Sequence, residues 1–508
     1  MTLTPESDAV LARLSSLRSL DAPTHGGRVL SYVYDSGLAE LDELAAAAMR
    51  AVQPVNGLDP TTFPSVAAIE RDLVAFARDV LGGDDEVVGN VTSGGTESCL
   101  LAVKTARDVW TAARDATEGS TSARPRLVAP TTAHAAFQKA AHYFGLELDL
   151  VPVAADGVVP AAAMIERLGP EVALVVVSAP SYPFAALDPV AEVAAAASAL
   201  GIACHVDACI GGWVLPWWRS GGEEPLPPWD FRADGVTSIS ADLHKFGYAP
   251  KGASVLLHRG RDRHRAQYFA TKRWPGYPVV NPTMLGSKSA GALAAAWAIT
   301  QRLGRDGFAD LAASCRRATD TLVRTVDGIR GLRVVGSPVG PLFAVATDES
   351  VPESERVDPH RWADSARTAG WLLQQQPGLA QESGVRLPHT THLTITPVTE
   401  TVLPELVSAL VAAADDVRGA PPITPEHVLG AVPTEVAAAL AGALTGQAGT
   451  VSSAQASALL AQLGIGAGSA LPDETAPLLA LIESMPPPLT ERLLVELLAS
   501  LVEPPRPS

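Results

Sequence analysis

Cysteine is scarce in this chain: Cys99, Cys204, Cys209 and Cys315 are the only four in 508 residues. None makes a C-x-x-C pair or joins histidines at zinc spacing, which argues against a disulfide framework or a structural metal, and a reducing, cytoplasmic setting is expected. Positive charge is also short. Lys and Arg total 38 against 55 Asp and Glu, a formal charge of −17, which disfavours nucleic acid or an anionic membrane as the main partner. Any anion site must therefore be built locally. No uninterrupted apolar run is long enough to span a bilayer, and the start, M-T-L-T-P-E-S-D, has neither a basic nor an apolar leader region, so no transmembrane segment is expected. The G-K-[ST] ending of a Walker A loop is missing too, which excludes the usual nucleoside-triphosphate site.

The composition that is present, 47% apolar and 18% charged, suits a large globular domain with one or two smaller ones. Residues 1–65 read as an N-terminal helical arm carrying Tyr34, followed by a loop rich in Pro, Asn and Gly from Pro54 to Pro64. Residues 66–300 then alternate short β-branched runs with helical patterns, the signature of a parallel sheet with crossover helices. The candidate strands are Arg126–Ala129, Leu146–Val151, Val172–Ser178, Ile202–Val206, Val236–Ile239 and Ala253–Leu257. Several are apolar on both faces, as strands covered by helices on both sides should be. A long helical stretch from Leu285 to about Val326 leads into a small α+β domain, residues 301–420. There the expected elements are strands Leu332–Val335, Leu342–Thr347 and Thr391–Thr396, with helices Pro359–Gln375 and Thr401–Val417. Residues 421–508 read as an alanine-rich helical extension with a disordered P-P-R-P-S tail.

Four places carry chemistry. Thr92-Ser93-Gly94-Gly95-Thr96-Glu97-Ser98 precedes a helical pattern, so Gly94, Gly95 and Thr96 can cradle a phosphate at a helix N-terminus. The same letters also suit an ordinary capped glycine turn. Asp207 closes the run Ile202–Val206 at the carboxyl edge where open α/β sheets bind ligands, and either caps the next turn or holds a cationic partner. His134 follows Arg126–Ala129 at the same edge and begins a helix, where it either stacks on a planar ring or caps the helix. In S-A-D-L-H-K-F-G-Y-A-P-K-G, Lys245 follows His244 directly, in the setting that makes a lysine amine nucleophilic. A phosphate cup, a stacking imidazole, a carboxylate for a pyridinium nitrogen and a reactive lysine are together what pyridoxal phosphate needs.

The stretches V-T-S-G-G-T-E-S, T-A-H-A-A-F-Q-K-A-A-H-Y-F-G, H-V-D-A-C-I-G-G and S-I-S-A-D-L-H-K-F-G-Y-A-P-K-G resemble the motifs of the sphingosine-1-phosphate lyases, within the pyridoxal-phosphate decarboxylase-like enzymes. The resemblance spans roughly Val29 to Val417. It implies the α/β fold of the aspartate-aminotransferase type, with a mainly parallel seven-stranded sheet, and a homodimer with shared active sites. It further implies Lys245 as the lysine that links the cofactor, Asp207 as the pyridinium partner and His134 as the stacking residue, with Gly95, Thr96 and His244 at the cofactor phosphate. Tyr34, Asn56, Lys251 and Ser287 look like the residues that bind a substrate phosphate. One departure stands out: where the family loop reads N-P-L-H-P-D-x-F-P, this chain has Asn56-Gly57-Leu58-Asp59-Pro60, placing an anion where a histidine is expected. Asp59 therefore opposes a phosphate substrate unless it points away or pairs with Lys251.

The leading expectation is a pyridoxal-phosphate carbon–carbon lyase acting on a phosphorylated 2-amino-3-hydroxy compound. The alternatives are an L-amino-acid decarboxylase, with Asp59 selecting an amine-bearing side chain, and a cofactor-binding scaffold without turnover. Arg386 stays unassigned between a carboxylate ligand and a surface residue.

Overall fold

The computed structural model describes residues 4–118, 124–220, 224–421, 423, 451–462 and 474–504. Its centre is a seven-stranded sheet in the spatial order Val87–Thr92, Ser254–Arg259, Ser238–Ala241, Ala203–Asp207, Val172–Ser178, Arg126–Pro130, Glu147–Val151. The last five run parallel, and Ser254–Arg259 lies antiparallel to both of its neighbours. Val172–Ser178 is buried at every position, as a run apolar on both faces requires. All six candidate strands are present, within two residues at each end. Val87–Thr92 was not among them, because Gly89 and Asn90 interrupt its β-branched pattern; it is held by six residue pairs to Ser254–Arg259.

Helices cover both faces. One core cluster gathers Leu73, Val175, Val206, Ile239 and Val255 with Ala295 and Phe308; a second, on the other face, gathers Val103, Phe137, Leu174 and Val176. The helix Gly291–Asp327 joins the large and small sheets: its first half packs in the large core, and Ala318, Leu322 and Val326 pack in the small one. It starts six residues later than Leu285 and is broken at Gly304, whose φ of 55° and ψ of −167° are non-helical.

The small domain carries a four-stranded antiparallel sheet ordered Leu332–Val334, Leu342–Thr347, Thr390–Thr394, Gln374–Gln376. Here one expectation is corrected. The helix from Pro359 stops at Thr368, not Gln375, because Gly370 takes a left-handed φ of 83° and turns the chain. Residues Gln374–Gln376 then form an edge strand against Thr390–Thr394. The expected helix Thr401–Val417 is a 3₁₀ turn, Pro397–Val402, running into the α-helix Leu403–Val417. Together these 21 residues have a mean hydropathy of 1.3 in their most apolar window, enough by length and composition to span a membrane, but Leu406, Leu410 and Ala414 are buried in the small-domain core.

In the extension, helices Ser453–Gln462, Ala476–Ser484 and Pro487–Val502 share a core of Leu459, Leu460, Leu481, Leu489 and Leu493. The expected disordered tail, from Pro504 on, lies outside the described residues beyond Pro504 itself.

Candidate active site

The parallel register sets the site. Ser178 pairs with Asp207, and Asp207 with Ser240, so three neighbouring strands end at one level. Beyond that edge lies a cavity of about 580 Å³. Its lining includes Gly94, Gly95, Thr96, His134, Asp207, His244, Lys245 and Tyr34. Every residue expected at the cofactor thus meets in one place, with one of the substrate candidates.

The helix Gly95–Glu118 begins at the cavity wall, inside the Thr92–Ser98 motif rather than after it. Glu97 fixes the loop before it, accepting from the Ser93 amide at 2.6 Å and the Met284 amide at 2.7 Å. The hydroxyls of Thr92, Ser98 and Ser254 continue inward, at 2.7 Å and 3.1 Å. Gly95 has no room for a side chain: a Cβ there would sit 2.6 Å from Asp242 Oδ2 and 2.9 Å from Cys209 Sγ. The backbone approach needed for a phosphate cup is therefore enforced by the neighbours.

Asp242 is the group that sequence reasoning missed. Its carboxylate is 1% exposed, with Oδ2 3.0 Å from Lys245 Nζ and 3.5 Å from His244 Nε2. Burial alone would raise its pKa, but Lys245 and His244 more than offset that and hold it below the usual carboxylate value. Burial likewise opposes the charge on Lys245, and Asp242 overrides it, so the lysine pKa lies well above the ordinary value. The resting amine is an ammonium and must give up a proton before it can act as a nucleophile. The signal was in the sequence: Asp242 stands three residues before Lys245, a separation that one turn closes.

Asp207 Oδ1 accepts the amide of Cys209 at 3.1 Å, which fixes the carboxylate at the strand end. Behind it, His205 is clamped between Ser238 Oγ at 2.9 Å and Ser240 Oγ at 3.1 Å, and burial pulls its pKa down to about 4. His134 departs from expectation by two residues. It lies in the turn before the helix Ala136–Phe144 and accepts the Ala136 amide on Nδ1 at 3.1 Å, so it braces the helix start while its ring faces the cavity.

The substrate candidates divide. Lys251 donates to the His244 carbonyl at 3.1 Å and lies 4.6 Å above the Tyr34 ring, which itself packs edge-on against Phe246. Asn56 donates to Ser287 Oγ at 3.4 Å. Asn56, Asp59, Lys251 and Ser287 are not among the residues lining the cavity. Asp59 is turned into its own loop, where it accepts from the amides and hydroxyls of Thr61 and Thr62; those hydroxyls, Thr61 first, hold its pKa below the ordinary carboxylate value. It does not pair with Lys251. Arg386 turns away from the cavity to Glu483 of the extension, at 3.0 Å. Tyr182 and Gln374, also unforeseen, line the cavity and hydrogen-bond to each other.

These residues fit pyridoxal phosphate on their own geometry. The cavity presents a helix N-terminus, a lysine, and a carboxylate fixed at a strand end. Two buried polar atoms, Asp242 Oδ1 and His244 Nδ1, have no protein partner.

Comparison with known proteins agrees. Residues 33–320 match the conserved domain of pyridoxal-dependent decarboxylases. The chain belongs to this family. Residues 434–500 match a C-terminal HTH domain of pyridoxal-dependent enzymes. Sphingosine-1-phosphate lyase of Oryza sativa subsp. japonica is 32% identical over 422 residues, covering 82% of this chain and 74% of that one. The Rattus norvegicus sphingosine-1-phosphate lyase 1 is 33% identical over 387 residues, 76% of this chain and 64% of that one. For the Dictyostelium discoideum enzyme the identity is 39% over 296 residues, with 58% and 54% covered. This chain thus spans between about half and three quarters of these relatives' lengths. The solved Burkholderia pseudomallei sphingosine-1-phosphate lyase superposes with a TM-score of 0.73 at 31% identity, covering 83% of this chain and 94% of that one. A Lactobacillus brevis glutamate decarboxylase shares the fold at 19% identity and a TM-score of 0.70. Pyridoxal phosphate is the family's cofactor.

Two measurements check this site. Gly95→Ala should lower cofactor affinity at least about tenfold, by pushing the cup off Asp242, as read by titrating the cofactor absorbance band. Asp188, which accepts the Ser178 amide at 2.7 Å beneath the cavity floor, has its pKa raised by burial to about 7. Because the folded value is raised, its contribution favours folding below the ordinary carboxylate range and is lost as pH rises through about 7. Asp188→Asn should therefore gain stability relative to the parent between pH 5 and 8, by at most about 4 kcal/mol, in urea melts at each pH.

Proposed function

We propose that this chain is a pyridoxal-phosphate-dependent carbon–carbon lyase that cleaves a phosphorylated 2-amino-3-hydroxy compound, releasing an aldehyde and an amino phosphate. The observation that carries this reading is Lys251. Among the described residues no carboxylate pairs with it; crowding by protein and then the charge of Lys245 pull its pKa down to about 8. A cation held without a counter-ion beside an active lysine is a site for an anion from the substrate. Asp59 keeps its charge, but both its oxygens are taken up by the Thr61 and Thr62 hydroxyls of its own loop, so it is neither paired with Lys251 nor presented to an amine side chain as a decarboxylase would need. The sphingosine-1-phosphate lyases among the relatives support the same substrate class.

The residue roles follow. Lys245 links the cofactor, and Asp242 receives or holds the lysine proton 3.0 Å away. Asp207 would hold the ring nitrogen protonated, His134 would cover the ring face, and Gly94, Gly95, Thr96 and His244 would hold its phosphate. When bound, pyridoxal phosphate supplies an electron sink for a bond breaking next to the amine-bearing carbon. Lys251, seated on Tyr34, takes the substrate phosphate, with the Asn56–Ser287 pair completing that end of the site.

A homodimer is part of the proposal. The helix Pro5–Arg18 has no buried residue, yet Val10, Leu11, Leu14 and Leu17 are apolar and at least half exposed. Phe269, Trp274, Tyr277 and Val280 are about as exposed, and a second copy would cover both patches. A reducing, cytoplasmic location suits four buried free cysteines.

The test is direct. With an amino alcohol phosphate, purified chain plus cofactor should yield aldehyde, and Lys251→Ala should raise KM about 10- to 100-fold with kcat less affected. In the parent, KM should climb as pH rises through about 8, where Lys251 loses its charge. Carbon dioxide from an amino acid, with no aldehyde from any amino alcohol phosphate, would sink the lyase reading. Sedimentation of the full chain as a monomer at micromolar concentration would remove the dimer.

A further inference from the structure

The strand Gln374–Gln376 has one side on the cavity and the other on the C-terminal extension. Side chains alternate across a strand, and these three obey that rule. Gln374 accepts from the Tyr182 hydroxyl and donates to the Tyr32 hydroxyl at 2.6 Å; all three residues line the cavity. Gln376 faces the same way and donates to the Pro183 carbonyl at 2.9 Å. Gln375 points oppositely. Its amide donates to the His360 carbonyl and to Asp364 Oδ1, both at 2.9 Å, and its oxygen accepts from the Thr475 hydroxyl.

Thr475 immediately precedes the helix Ala476–Ser484, and the N-terminus of that helix is capped from outside by the small domain. Asp364 accepts the Thr475 amide at 3.1 Å and the Ala476 amide at 3.0 Å. The far end is tied as well: Glu483 lies 3.0 Å from Arg386 and 3.7 Å from His389, which in turn lies 3.2 Å from Asp358. One peptide unit therefore separates the side chain that holds the extension from the side chain that orients two cavity tyrosines.

We propose that docking of the helix Ala476–Ser484 on the small domain and filling of the cofactor cavity favour each other, with the strand Gln374–Gln376 as the connecting element. A docked Thr475 fixes Gln375, and thereby the strand's register and twist; Gln374 then holds Tyr182 and Tyr32 against the cavity. An undocked extension takes away the Thr475 bond to the Gln375 oxygen, leaving Gln375 held only through its amide to His360 and Asp364, and loosens that wall. Because binding couplings are reciprocal, a ligand that orders Tyr182 and Tyr32 must tighten the extension by the same factor. The domain at residues 434–500 thus acts on the site as a regulatory element, and whatever binds that domain would reset the cavity.

Hydrogen–deuterium exchange on the full chain tests this, first alone, then with pyridoxal phosphate, then with 2-aminoethyl phosphate added. Filling the cavity should slow amide exchange in residues 474–484 by about five- to 150-fold, the usual range of such couplings. Thr475→Val, a near-isosteric change outside the cavity, should speed exchange in residues 180–186 without any ligand, and Gln375→Ala should abolish the slowing at 474–484. Both variants should raise KM more than they lower kcat, while the cofactor absorbance band persists. If the band forms but exchange at 474–484 stays the same, the coupling is overturned and the lyase reading stands. If no band forms, the cofactor reading fails; the Thr475→Val effect on residues 180–186 then decides the coupling alone, and its absence overturns it.

Discussion

A single buried carboxylate organises this site. Asp242 is almost fully removed from water, a position that is costly unless the charge is paired. It pairs with Lys245, approaches His244, and its bulk forbids a side chain at Gly95. One group therefore holds the lysine in place, lies against the imidazole of His244 and keeps the glycine loop free of a side chain. Removing it would strand an ammonium in a buried pocket, and losing one partner of such a pair typically costs about 3–5 kcal/mol. The pairing also sets the resting state: it favours the charged lysine, which must lose a proton before it can act as a nucleophile.

The rest of the frame brings chain segments distant in sequence to that carboxylate. Parallel pairing sets Ser178, Asp207 and Ser240 at one level, so a strand end reached by each crossover contributes one wall. The one reversed strand, next to the other edge, serves a different purpose. Ser254–Arg259 returns the chain directly after Lys245, and the Ala253 carbonyl accepts the His244 amide at 3.1 Å, pinning the loop between them. The lysine loop is short because its two flanking strands are neighbours.

Much of this was legible in the sequence, for physical reasons. Buried strands announce themselves as continuous β-branched runs, and residues at their carboxyl ends are confined to the ligand edge, which is why Asp207 and Lys245 could be placed without coordinates. What was hidden depended on contacts between segments. Asp242 looks like any loop aspartate until its burial is seen, and Glu97 like a helix-start carboxylate until it is found to bind Met284, 187 residues away. The edge strand Gln374–Gln376 is three glutamines with no β-propensity, held by pairing to Thr390–Thr394 and by what its side chains reach. His134 was misplaced by two residues because its side chain caps the helix it was expected to begin.

The net charge of −17 gives the local cations their meaning. An acidic chain repels anions at long range, so a phosphate-bearing molecule is retained only where donors are fixed and desolvated. Here those donors are divided by distance from the sheet edge. At the edge, Lys245 is neutralised by Asp242, so in the proposed site the helix N-terminus at Gly95 and His244 would meet the cofactor's phosphate. Six residues further along, Lys251 has no such partner among the described residues; it is propped by the Tyr34 ring and the His244 carbonyl, both favourable to a cation but neither carrying a full negative charge. This asymmetry supports the roles proposed for the two lysines: the paired one suits exchange of a proton and a covalent bond, and the other suits a counter-ion brought by the substrate, which Asp59, bound into its own turn, does not supply.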